Sequence, residues 1–147
     1  MVSPEILRRF TYFSGASEES LKQVAMLSEE KTARAGAVLF SEGQDATELC
    51  LVVEGEVDVQ YVLGDGSHQT VDTLVGGDIM IWSALVTPHI THSMGVARTN
   101  VKLVAIDAPK FRQLMASDPV LGFSVMKAVA AAVADRLHGA RLQIAAS

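Results

Sequence analysis

The sequence predicts a mainly β fold with flanking helices: an antiparallel jelly-roll β-sandwich (a double-stranded β-helix) with helices before it and one long helix after it. Three observations carry that prediction. From Ala35 onward the apolar residues alternate with a period of two. Glycine turns at Glu54-Gly55, Gly64-Asp65-Gly66 and Gly76-Gly77-Asp78 interrupt this region at intervals of roughly eight to twelve residues, the spacing of a sandwich with about seven or eight short strands. Asp118-Pro119 then opens a long apolar run, with Asp suited to the N-cap and Pro to the first turn of a helix.

A chain of 147 residues is one domain able to bury a proper core. It divides into N-terminal helices (1–34), the jelly roll (35–107) and C-terminal helices (108–147). Met1 to Thr32 reads as helical. Phe10 and Phe13 flank a turn, Ser17 is a plausible N-cap before Glu18 and Glu19, and Leu21, Val24, Ala25 and Leu27 follow at helical spacing. Val38 to Phe40 is a short strand. Leu49 to Val53 is a continuous apolar one, and Val57, Val59, Tyr61 and Leu63 alternate with polar residues on a wet face. Thr70 to Leu74, Met94 to Arg98 and Val101 to Ile106 complete the strands; a short helix from Asp107 through Met115 and a long one from Pro119 to about Gln143 close the chain.

The net charge of −5 and the lack of any basic block argue against direct nucleic-acid binding, which needs clustered Lys and Arg. No run is long and apolar enough for a membrane span and no secretory signal opens the chain, so a cytoplasmic location is expected. Cys50, the only cysteine, lies in an apolar run and reads as a buried reduced thiol. No Ser/His/Asp set, Cys/His set or carboxylate pair in an apolar context supports an enzyme.

The stretch Gly76 to Ala97 stands apart. It holds the only tryptophan, Trp82, together with His89 and His92, and carries no charged side chain after Asp78. A short apolar run opening a mini-helix between strands offers backbone N–H groups to a small anionic ligand.

Several segments resemble the cyclic nucleotide-binding domain family. Phe13 to Glu19 resembles its opening helix, Ala35 to Gly43 its first strand and turn, Leu49 to Val59 its central hairpin, and Thr99 to Leu103 with Ile106-Asp107 the strand after its phosphate-binding cassette. The resemblance covers nearly the whole chain and implies a non-catalytic regulatory module. The family's cassette reads Phe-Gly-Glu-Leu-Ala, then Pro-Arg-Ala-Ala; its Glu holds the ribose and its Arg the cyclic phosphate. Counting back from Thr99-Asn100 puts Ile81 at the tight-turn Gly, Trp82 at the Glu and Thr91 at the Arg, while Ser83, Ala84 and Leu85 still look like the mini-helix. A one-residue slide brings His92 to the phosphate position, but no slide supplies an Arg or a Glu.

The candidate ligand site is therefore Ile81 to Leu85 with Thr91, His92 and Ser93. Its occupant would be a cyclic nucleotide or another small anionic or apolar molecule; no resident cofactor is expected. Trp82 is expected to plug the pocket or pack on a neighbouring helix rather than stack on a ligand. Thr91 and Ser93 are expected as exposed loop hydroxyls and His68 as a solvated turn residue. His89 and His92 have the wrong spacing for a jelly-roll metalloenzyme, and no acidic partner lies near. The long helix has an apolar arc too wide for one sandwich to cover, so a homodimer is expected along Val125, Val129, Ala132, Val133 and Leu137. Three functions follow in order: a sensor that reports a ligand to an effector domain or protein partner, a dimerisation module with a dead pocket, and distantly a cupin-like metalloenzyme. The chain ends without a helix-turn-helix, so it is expected not to bind DNA itself.

Overall fold

A computed structural model describes residues 1–147. Eight strands form two four-stranded antiparallel sheets. They are β1 (Ser28–Ala33), β2 (Val38–Phe40), β3 (Glu48–Glu54), β4 (Val57–Val62), β5 (His68–Leu74), β6 (Ile79–Met80), β7 (Met94–Ala97) and β8 (Val101–Asp107). One sheet runs β1-β8-β3-β6 and the other β2-β7-β4-β5. Helices α1 (Pro4–Leu7) and α2 (Glu18–Met26) precede them, and α3 (Ala108–Ser117) and α4 (Pro119–Ala146) follow. The predicted jelly-roll sandwich with a single long C-terminal helix is the fold observed.

The continuous apolar run of β3 is explained by burial on both faces. Leu49 and Leu51 join a core with Val24, Phe111 and Leu121 from the helices. Cys50 and Val52 point the other way, into a second core with Val57, Leu74 and Ala97 of the opposite sheet. Its partner β8 divides in the same manner, Val104 and Ile106 toward the helices and Leu103 and Ala105 between the sheets. Burial between the sheets pushes the Cys50 thiol up to about 12, so it stays a neutral packing group. On β7, Gly95 leaves room for the Phe40 ring, whose Cε1 would lie 2.2 Å from any added Cβ.

Three expectations need correction. Ser28 to Ala33 is strand, not helix, and pairs antiparallel with β8. Its sequence, SEEKTA, has no apolar alternation because it is an edge strand whose Glu29, Glu30 and Lys31 are exposed. Charged side chains on an edge strand discourage pairing with another chain. Cross-strand ion pairs Lys31–Glu48 (2.8 Å) and Lys102–Glu30 (3.6 Å) tie it in. Likewise, His68 is no turn residue but begins β5, opposite Val62.

The third correction concerns the long helix. Val125 and Val129 are 1% and 3% exposed and belong to the protomer's own core. They cannot form a seam with a second copy. Ala132 and Val133 are half-buried against the same core, and of the predicted seam only Leu137 stands well exposed.

Asp118 caps α4 as expected: its Oδ1 accepts from the Leu121 N–H at 3.2 Å, and its Oδ2 accepts from the Ser20 hydroxyl of α2. One carboxylate thus starts one helix and anchors another. The Ser20 hydroxyl and the Leu121 N–H hold its pKa below the usual carboxylate value. A depressed folded-state pKa adds stability that is present above the unfolded value, about 4, and is lost as pH falls through the folded one. Asp118→Asn keeps a capping side chain without the charge. The variant is expected to melt below the wild type near neutral pH, with the gap closing once pH falls well below about 4. Thermal melts across that range check this; a constant gap would show that charge is not its source.

Candidate functional site

The chain between β6 and β7 builds the site. Ile81 follows β6 in the left-handed region (φ 63, ψ 46), a conformation costly for a β-branched side chain. The family resemblance puts the tight-turn glycine at this residue, and the chain makes a left-handed bend here with an isoleucine. The bend launches a 3-10 turn, Trp82–Leu85. That turn is supported from below by Arg112 of α3, whose Nη1 donates to the Ala84 carbonyl at 2.6 Å.

A cleft of about 680 Å³ opens between this turn, the face of β4 and β5, and the C-terminal half of α4. Six of the eight candidate residues, Ile81, Trp82, Ser83, Thr91, His92 and Ser93, line it. Ala84 and Leu85 do not; Ala84 is fully buried, Leu85 packs beside it against the helical core, and the Ala84 N–H is spent on the Ile81 carbonyl. Trp82 is 39% exposed at the cleft, so it does not plug it.

Thr91 is also not the exposed hydroxyl that was expected. It is 2% exposed. Its Oγ1 donates to the Ser41 carbonyl and accepts from the Gln44 N–H at 3.0 Å, while its backbone pairs with Gly43 and Gln44. It closes the loop between β2 and β3 and has no hydroxyl proton to spare. His92 beside it is exposed. No three of the His, Cys, Asp and Glu side chains converge as a metal site.

The residue that the sequence reading missed is Arg136. Its Nη1 donates to both oxygens of Asp72 on β5 (2.8 and 2.9 Å), and its Nη2 lies 2.9 Å from Asp78 Oδ2 in the turn before β6. All three line the cleft, with Asp135. A signal was available. Leu121, Val125, Val129 and Ala132 mark the inward stripe of α4, and Arg136 continues it at the same spacing. A guanidinium on an inward stripe needs carboxylate partners.

Residues 30–118, well over half of the chain, match the cyclic nucleotide-binding domain. The chain belongs to the cyclic nucleotide-binding domain family. Among solved structures, a candidate cyclic nucleotide-binding protein from Geobacter metallireducens is 37% identical over 94% of this chain and 100% of that one, with a TM-score of 0.84. The N-terminal domain of a transcriptional regulator from Streptomyces coelicolor is 25% identical over 88% of this chain and 93% of its own, with a TM-score of 0.72. The regulatory domain of Toxoplasma gondii protein kinase A, solved with cAMP, shares the fold at 24% identity; the match spans 76% of this chain and 42% of that one, with a TM-score of 0.68. No curated protein matches this chain. No helix is long and apolar enough to cross a membrane.

Past Val133 every residue of α4 is exposed, and Arg136 supplies the ion pairs that hold this half to the sandwich. The three side chains are partly exposed, so solvent screening limits the clamp to about 1 kcal/mol. Arg136→Ala is therefore expected to speed amide exchange over residues 134–146 by about three- to tenfold, with exchange in β3 and β8 unchanged. Hydrogen-exchange mass spectrometry reads this directly; equal protection in variant and wild type would discount the clamp.

Proposed function

We propose that this domain is a non-catalytic regulatory sensor whose cleft does not hold cAMP or cGMP in the family's usual way. The observation that carries the reading is the charge arrangement of the cleft. Trp82 and Thr91 occupy the positions that the family resemblance assigns to ribose-binding Glu and phosphate-binding Arg. The one guanidinium lining the cleft, Arg136, is already shared by Asp72 and Asp78. A charge-assisted hydrogen bond to phosphate is worth roughly 1.5–3 kcal/mol. Losing both family contacts weakens binding by roughly 3–6 kcal/mol, about two to four orders of magnitude. The Toxoplasma relative was solved with cAMP; this chain lacks the two side chains that the family uses to hold it.

Calorimetric titration with cAMP or cGMP is expected to show no saturation in the micromolar range, and submicromolar affinity would reject the reading. Thr91 is committed to the β2–β3 loop, so the exposed His92 is the better place to restore a cation. Trp82→Glu with His92→Arg is expected to regain more cAMP affinity than either change alone, since each single variant leaves one end of the nucleotide unpaired.

A dimerisation module is the second reading, favoured by the outer face of α4. Phe123, Met126, Ala130, Val133, Leu137 and Ile144 recur at steps of three, four and seven, the a/d pattern of a coiled-coil seam. Phe123 and Ile144 are 72% and 74% exposed. This face replaces Val125 and Val129 in the proposed interface. The protein is expected to scatter light as a dimer at micromolar concentration. Leu137→Glu should give a folded monomer. Val129→Glu should instead destabilise the protomer by several kcal/mol, because it buries a charge. A monomeric wild type would remove the dimer reading.

A further inference from the structure

Besides Arg136, the charged side chains lining the cleft are all acidic. Three carboxylates, Asp72, Asp78 and Asp135, line the cleft with a single guanidinium. Arg136 serves two of the three; Asp135 carries no ion pair. An anion entering the cleft would have to take Arg136 from two carboxylates and leave them unpaired beside a third. A cation moves the same set of charges toward neutrality.

The apolar part of the lining is aromatic on several sides. Tyr12 comes from the N-terminal 3-10 turn, Phe40 from β2, Tyr61 from β4 and Trp82 from the cassette turn. Trp82 and Tyr61 are 39% and 42% exposed, so both remain open to a ligand. Indole and phenol rings attract cations through their quadrupole. Aromatic walls with an unpaired carboxylate in the lining are a recognition chemistry for an organic ammonium, not for a phosphate.

We propose that the cleft between the sandwich and α4 is a binding site for an organic cation, a protonated amine carried on an aromatic or alkyl body, with Asp135 as its counter-ion and Trp82 and Tyr61 as its aromatic walls. This deepens the sensor reading above and rests on it. A single positive charge selects the ligand, and the apolar body fills the space that a nucleoside would otherwise take. Because Asp135 neighbours Arg136 on α4, the ligand adds an anchor next to the existing clamp.

Three ring-matched probes test it: tryptamine, neutral tryptophol and indolepropionate, titrated into the intact protein and followed by calorimetry and by the Trp82 indole N–H in NMR spectra. Tryptamine is expected to bind about tenfold tighter than tryptophol, the effect of one cation–π contact with one partly exposed ion pair. Indolepropionate should bind most weakly. Asp135→Asn should cut the tryptamine advantage to the part that the cation–π contact supplies and leave tryptophol affinity unchanged, a pattern that general loosening of the helix would not give. Equal or tighter binding of the acid, no advantage for the amine, or no binding of any probe at millimolar concentration overturns the proposal. A cAMP titration run alongside separates the two readings. Tight cAMP binding removes the proposed function, whereas loss of the amine preference with cAMP still rejected removes this inference alone.

Discussion

The pairing of β3 with β8 is the constraint on which everything else rests. Leu49 stands opposite Ile106 and Leu51 opposite Val104 on the helix side; Cys50 opposite Ala105 and Val52 opposite Leu103 face the second sheet. The ladder therefore forms a wall between two cores. A slip of one residue would exchange the faces of every side chain on the strand, sending side chains fitted to the helices into the gap between the sheets. The wall also fixes the cassette, because β6 pairs with the far edge of β3 through Cys50–Met80 and Leu51–Ile79. Ile81 follows immediately, so the position of the left-handed bend is set by a strand register rather than by a loop.

The bend itself separates backbone geometry from ligand chemistry. Ile81 adopts φ 63, although an L-residue with a branched Cβ disfavours it by roughly 1–3 kcal/mol. The side chain packs partly against both cores, and that burial offsets the strain. The shape of the turn is thus held by packing, whatever the side chains that face a ligand. Thr91 also acts structurally: its hydroxyl fastens the β2–β3 loop.

Most of the architecture was legible because it is written in periods. Glycine turns and alternation marked the strands from Val38 onward, and Asp118-Pro119 marked the start of α4. The edge strand β1 was not legible, since a strand covered on one side only, and polar along its length, has the composition of an exposed helix. Six of the eight candidate site residues meet in one cleft because the cassette is contiguous in sequence. Arg136 escaped because its partners lie 64 and 58 positions away, and a pairing at that distance leaves no local trace beyond a charge on an apolar stripe. The wide apolar arc of α4 was read as an excess, but Val125 and Val129 were placed on its outer face. Val125 and Val129 look inward, and the exposed stripe lies about a quarter-turn away.

That division of α4 has a consequence for signalling. Val133, half-buried, and Ile144, exposed, lie on the outer stripe and also line the cleft. A ligand that settles against them orders the same turns of helix that a second copy would pack upon. Ordering those turns costs conformational entropy once, whichever event comes first. In the proposed sensor, binding in the cleft and association along the stripe would be linked, and linkage is reciprocal: whatever factor a ligand adds to association, association adds to ligand affinity. The Arg136 clamp would set the size of that factor in such a sensor. While Asp72 and Asp78 hold the helix in place, part of the ordering cost is already met, so the coupling is smaller than it would be for a free helix. A stronger clamp would make a better binder and a poorer switch.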